Sequence, residues 1–133
     1  MNNNNDNYNE IREKFFDFLL RKPSTQKQAN EYLSRLKVPE NYRENLMNEA
    51  ENLGLIDDFA FARLFVDGHL TWGNAKISYE LGARGVPREY IRAALDEADD
   101  EAERAAEIAE DLRRSGIDEK KIRARLISRG FFR

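Results

Sequence analysis

The chain has 133 residues, 41% hydrophobic and 35% charged, enough for one domain or a few small modules. It has no cysteine, which excludes disulfides, thiolate metal sites and cysteine nucleophiles. No apolar run approaches the ~20 residues that span a bilayer and no signal-peptide core opens the chain, so a soluble, cytoplasmic protein is expected; the net charge of −3 offers no global attraction to nucleic acid.

The opening MNNNNDN is polar and of low complexity, and residues 1–7 read as a disordered tail. A first helix is predicted from about Tyr8 to Lys22, with Ile11, Phe15, Phe18 and Leu19 on one face. Thr25 and Gln28 form a capping box for a second helix, whose inner face is Ala29, Tyr32, Leu33 and Leu36. Pro39 suits the first turn of a third, which buries Tyr42, Leu46, Ala50 and Leu53 and stops at Gly54. Asp57 or Asp58 caps a fourth, with Phe61, Ala62, Phe65 and Val66 apolar. Asn74 opens a fifth, marked by Ile77 and Leu81 and closed by Gly85. Pro87 opens a sixth, with Ile91, Ala94, Leu95 and Ala98 inward. A seventh spans about Asp100 to Ser115 and stops at Gly116. Asp118 caps the eighth, with Ile122 and Leu126 inward and Gly130 at its end.

These helices repeat. VPENYRENLMNEA (38–50) aligns without gaps to VPREYIRAALDEA (86–98), placing Tyr42 on Tyr90. The same register carries Ala29 to Ile77 and Leu33 to Leu81. A further step carries Ile77 to Ile122, Leu81 to Leu126 and ARGV to SRGF. The expected fold is all-α: tandem short three-helix modules, elongated, with repeat 1 at 8–54, repeat 2 at 55–98 and repeat 3 at 99–133 lacking its third helix. Small modules stabilise one another by stacking and leave an extended surface suited to a large partner.

Catalytic chemistry is not indicated. His69 is the one histidine and sits near a helix end, where a structural role is expected. Asp57–Asp58 and Asp99–Asp100 fall at helix starts and read as caps. Trp72 lies in a turn, packed on a neighbouring helix or serving as an interface anchor. No catalytic residue, metal or cofactor is expected. Charge is segregated: residues 96–111 carry nine acids against Arg104, and 112–133 carry eight bases against Asp118 and Glu119. Two compensating solvated faces would explain this, and so would a basic surface for an anionic partner. A helix-turn-helix DNA reader using Arg88 and Arg92, or a generic helical-repeat interaction module, is the alternative reading.

LIDDFAFARLFV (55–66) followed by WGNAKISYELGARGVPREYIRAAL (72–95) resembles the central module of the RecX family of recombinase regulators. The positions that carry the likeness are Asp57, Asp58, Phe61, Ala62, Phe65, Val66, Gly73, Ile77, Glu80, Leu81, Arg84, Gly85, Val86, Ile91, Ala94 and Leu95. The resemblance implies tandem three-helix repeats and a non-enzymatic regulator. Such a protein would bind the RecA recombinase filament and modulate, by inhibition, its ATPase, strand-exchange and coprotease activities in DNA repair and recombination. DGHLTW (67–72) lacks the arginines often found there in the family. Nucleic acid is accordingly expected mainly within the filament and weakly when free, with the protein a monomer. Phe131 and Phe132 would pack back onto the last two helices or mark a sticky end. The residues expected to meet RecA and its filament are Arg63, Lys76, Arg84, Arg88, Lys120, Lys121, Arg123, Arg125 and Arg129.

Overall fold

The computed structural model describes residues 3–132, and among these it holds eight α-helices and no strand. They are α1 (Asn3–Arg21), α2 (Gln26–Arg35), α3 (Glu40–Asn52), α4 (Asp58–Asp67), α5 (Asn74–Ala83), α6 (Arg88–Glu97), α7 (Glu101–Arg114) and α8 (Glu119–Ser128). The chain divides into two compact units, one through Phe61 and one from Ala62 on, the division falling within α4.

In the first unit α1, α2 and α3 pack pairwise. Their core is Phe15, Leu19, Ala29, Leu33, Val38, Leu46, Met47, Ala50 and Ile56. Removing each such Leu, Ile or Phe side chain from water contributes about 1.5–3 kcal/mol. Thr25 and Gln28 complete the expected capping box: the Gln28 N–H donates to Thr25 Oγ1 at 3.2 Å, and the Thr25 N–H donates to Gln28 Oε1 at 3.1 Å. Asp57 is the cap of α4, accepting the Ala60 N–H at 3.0 Å. Asp58 is engaged elsewhere, accepting the Gln26 N–H at 2.8 Å and tying the start of α4 to the start of α2. Across α1 and α3, the Arg12 guanidinium grips Glu49, with Nε 3.1 Å from both carboxylate oxygens. That bond holds the Glu49 carboxyl below its ordinary value of 4.5.

Three expectations are corrected here. α1 begins at Asn3, so Asn3–Asn7 are helical rather than a disordered tail; Met1 and Asn2 lie outside the described residues. The Tyr8 ring meets Tyr42 edge-on at 5.0 Å, and a helix anchored there extends by one turn far more cheaply than it nucleates. Leu36 and Leu53, expected inside, are 39% and 61% exposed. Both are C-cap residues just before a left-handed position, Lys37 or Gly54, where the chain has already turned off the helical face.

The second unit buries Ala62, Val66, Ile77, Leu81, Val86, Ile91 and Ala94, and then a cluster of Ala105, Ile122, Leu126 and Phe131. The register read from the sequence reappears as one repeated turn. The N–H groups of Val38, Val86 and Phe131 donate to the carbonyls of Leu33, Leu81 and Leu126 at 3.2, 3.1 and 3.0 Å. Each follows a residue in the left-handed region, Lys37, Gly85 or Gly130, with φ of 56°, 89° and 92°. The same register aligns the N-caps Thr25, Gly73 and Asp118.

Gly73 departs from the other two caps because another backbone occupies its side-chain space. A Cβ there would lie 2.2 Å from the Gly130 carbonyl carbon and oxygen. The Gly73 N–H donates to the Arg129 carbonyl at 2.8 Å, and α5 is capped from α7 instead, by Glu101 Oε2 accepting the Asn74 N–H at 2.5 Å. Arg104 completes the junction. This α7 residue is only 5% exposed. Its Nη1 donates to the Leu70 and Trp72 carbonyls, its Nη2 to Asn74 Oδ1 and its Nε to the Asp99 carbonyl.

A Gly73→Ala substitution should therefore lower stability by about 3 kcal/mol or more, since the obstacle is backbone rather than a movable side chain. Gly82→Ala, in α5 with nothing within 4 Å of the added carbon, should instead raise it by about 0.5–1 kcal/mol. Chemical denaturation of both variants checks the pair, and equal effects would refute the close approach.

The Arg12–Glu49 pair predicts a pH dependence whose sign follows from the lowered Glu49 value. Its contribution is present above the unfolded pKa and lost as pH falls through the folded one. The stability gap between wild type and Arg12→Met should be open at neutral pH and close in acid below the ordinary glutamate range. Urea titrations across that range test it, and a gap that persisted in acid would count against the pair.

Candidate functional site

The end of α4, the following turn and α5 build a ladder of three rings with a cation at each end. Phe65 and His69 are one helical turn apart, so their rings share a face; they stack at 4.0 Å between centroids, 22° from parallel. His69 in turn lies 4.3 Å from the Trp72 ring. Cations close both ends. Lys76 Nζ sits 4.1 Å from the Trp72 ring centroid, and the Arg84 guanidinium 5.0 Å from that of Phe65. Lys76 and Arg84 stand eight residues apart along α5, a span of about 12 Å, which the three rings bridge. Every member is half-buried.

The orientation of His69 is fixed from within. Its Nδ1 lies 2.7 Å from the Phe65 carbonyl oxygen. A carbonyl can only accept, so Nδ1 carries the hydrogen and Nε2 is the ring's remaining polar atom. Trp72 is held from its other side, through its backbone carbonyl, by Arg104. Arg84 also donates to the Glu80 carboxylate at 2.8 Å and the Glu80 carbonyl at 2.9 Å, which aligns its plane over Phe65. Each cation–ring contact at such a half-exposed site contributes about 0.5–1 kcal/mol. The ladder is a pre-ordered strip of flat apolar faces flanked by positive charge.

Of the nine bases expected to form a binding surface, the structure places Lys76 and Arg84 on this ladder. Arg129 adjoins it through the backbone, because its neighbour Gly130 lies against Lys76 Cβ. Arg63 is engaged elsewhere, paired with Glu97 at 2.8 Å. Arg88 is exposed at the start of α6. Lys120, Lys121, Arg123 and Arg125 are exposed on α8, with Lys120 and Arg123 on the rim of an apolar groove and Lys121 and Arg125 one turn apart. Three important residues are not among the nine: His69, expected to be a bland helix-end histidine, Trp72, and the buried Arg104. The available signals were the F-x-x-x-H-x-x-W-x-x-x-K spacing and a lone base within an acidic helix. Among the described residues, no group of three or more His, Asp or Glu side chains is placed to hold a metal ion, and no helix is long and apolar enough to cross a membrane.

Short helices in register-matched units define an all-α helical-repeat protein. Residues 57–95 match the family model "RecX, second three-helix domain". The regulatory protein RecX of Lactobacillus delbrueckii subsp. bulgaricus is 34% identical over 87 residues, covering 63% of this chain and 32% of that protein. RecX of Streptomyces coelicolor is 36% identical over 93 residues, covering 68% of this chain and 48% of that protein. The matched stretch spans about a third to a half of the length of these curated relatives. The crystal structure of RecX from Lactobacillus salivarius shares the fold, with a TM-score of 0.81 at 24% identity over 95% of this chain and 89% of that one. Over residues 57–95 this chain carries the second three-helix domain of the RecX family.

The single tryptophan makes the ladder directly observable. His69→Ala should change the emission of Trp72 and raise its quenching by acrylamide, because one shielding ring is gone, while global stability falls by about 1 kcal/mol or less. Lys76→Met should alter the same emission by removing the cation over the ring. Unchanged spectra in both variants would show that the rings do not stack in solution.

Proposed function

We propose that this protein regulates the RecA recombinase, binding its nucleoprotein filament and lowering its ATPase, strand-exchange and coprotease activities. The observation that carries this reading is the ladder itself. On a RecX-family frame, Lys76 and Arg84 are held in place by packing, so an anionic groove can be met without first ordering two long side chains. The exposed bases of α8 and Arg88 extend the positive surface, and Arg129 adjoins it. The family, rather than the geometry, names RecA. The protein acts as a monomer in the cytoplasm, contacts nucleic acid chiefly within the filament and binds naked DNA weakly, in keeping with its net charge of −3.

The test is DNA-dependent ATP hydrolysis by the cognate RecA. Wild-type protein should suppress it below stoichiometry with DNA-bound recombinase, since contacts to neighbouring subunits reinforce one another. The effect should fade with salt. Reversing Lys76, Arg84 and Arg88 together to Glu should weaken it by about tenfold or more, with circular dichroism confirming an intact fold. Tight binding to free duplex DNA without any effect on RecA would overturn the regulator reading in favour of a DNA-binding domain.

A further inference from the structure

α5 carries a second exposed feature besides its two ladder cations. Ile77 and Leu81 form its buried side, and Tyr79, two residues from each, faces outward with 74% of its surface exposed. Ala75 lies one turn before Tyr79, and the exposed Gly82 and Ala83 one turn after it, so the four share a strip of helix surface. That strip holds no charged residue, in a chain that is 35% charged. The first repeat supplies an internal comparison. In the register that places Leu33 on Leu81, the same four positions of α2 are Lys27, Glu31, Ser34 and Arg35, all exposed. Such a composition is that of a solvated helix face. In α5 two bases and an acid are replaced by two alanines and a tyrosine.

Packing within the protein explains neither the ring nor the glycine. Tyr79 leaves most of its surface in water. Gly82 forgoes helix stability relative to alanine, yet nothing lies within 4 Å of the carbon that alanine would add. Contact with a partner accounts for both. Tyrosine is a favoured interface anchor because it covers a large flat area while ordering only two side-chain torsions. A glycine one turn away lets a facing backbone approach closely. Lys76 is three residues before Tyr79 and so borders the strip, which makes it continuous with the ladder.

We infer that Tyr79 is the protein-contacting anchor of the α5 surface, with Ala75, Gly82 and Ala83 giving clearance around it. It fits an uncharged apolar patch on a recombinase subunit, beside the anionic groove that Lys76 and Arg84 meet. This inference rests on the RecA reading and sharpens it: the cations supply attraction to the groove, and Tyr79 selects the protein next to it. A nucleic-acid strand is not the occupant, because its phosphates would meet no cation on the strip itself.

The experiment uses the full chain and reads DNA-dependent ATP hydrolysis by the cognate RecA over a range of salt. Tyr79→Ser should raise the concentration for half-suppression about tenfold, as loss of an anchor does. Its melting temperature should be unchanged, and its salt dependence should stay that of wild type, since no charge is altered. Gly82→Gln should melt at or above the wild-type temperature and yet lose potency by a similar factor, because its side chain fills the clearance. p-Benzoylphenylalanine in place of Tyr79 should cross-link on illumination to the recombinase polypeptide and not to DNA. Wild-type potency in both Tyr79→Ser and Gly82→Gln, or a cross-link to DNA, would overturn the inference and leave the regulator reading standing. A wild-type protein without effect on RecA would overturn that reading and the inference with it.

Discussion

A single buried guanidinium sets the geometry on which the candidate surface depends. Arg104 is charged, nearly inaccessible, and among the described residues bonded to neutral oxygens: three backbone carbonyls and one amide. Burying a charge without a counter-ion is costly unless its donors are satisfied. Four bonds from three nitrogens, with the Phe131 ring beneath at 5.6 Å, meet that requirement. The cost is thereby turned into specificity, since only one arrangement of the 70–74 turn presents those carbonyls together. A lysine could not substitute, because a single ammonium lacks the planar fork that reaches divergent acceptors. The same turn carries Trp72, so the interior contact and the exposed ladder are two sides of one backbone segment.

Glycine at 73 and 130 follows from the same constraint. The α5 and α8 ends approach until backbone meets backbone, which leaves no room for the capping side chain that Thr25 and Asp118 supply in the matching positions. Each helix start still needs its free N–H groups satisfied. At α5 the Arg129 carbonyl and the Glu101 carboxylate take over, so the missing cap becomes a link between consecutive repeats. Gly130 serves twice, once for its φ of 92° and once for its proximity to Lys76. At the matching turn of the first repeat, Lys37 adopts φ of 56° with a side chain present, so a left-handed turn alone does not demand glycine there.

What could be read from the sequence follows from how local each feature is. Helix starts and stops were legible because they rest on neighbours in the chain: the Thr25–Gln28 box, Asp118, and the glycines at 54, 85, 116 and 130. The buried register Ala29, Ile77, Ile122 and Leu33, Leu81, Leu126 was legible because repetition reinforced a weak period. Leu36 and Leu53 misled because periodicity does not report where a helix has ended. Arg104 and the ladder were not legible as structure, since their partners lie on other elements. Arg104 reaches from α7 back to the turn after α4, and Arg84 returns from the end of α5 to Phe65. His69 looked like a helix-end residue and is one, yet it packs against both Phe65 and Trp72.

The segregated charges divide in the same way. Much of the acidic stretch is spent internally: Glu97 on Arg63, Glu101 on the start of α5, and Glu110 and Asp111 on the bases that follow them in α7. Arg113 and Arg114 are consumed by these same acids and by Glu119. Internal partners therefore account for these four acids and the first two bases. They do not account for Lys120, Lys121, Arg123 and Arg125, which stay exposed on a helix whose acids are at its capping end. Placing negative charge at the start of α8 and Arg125 in its last turn suits the helix dipole, but the intervening bases gain nothing from it.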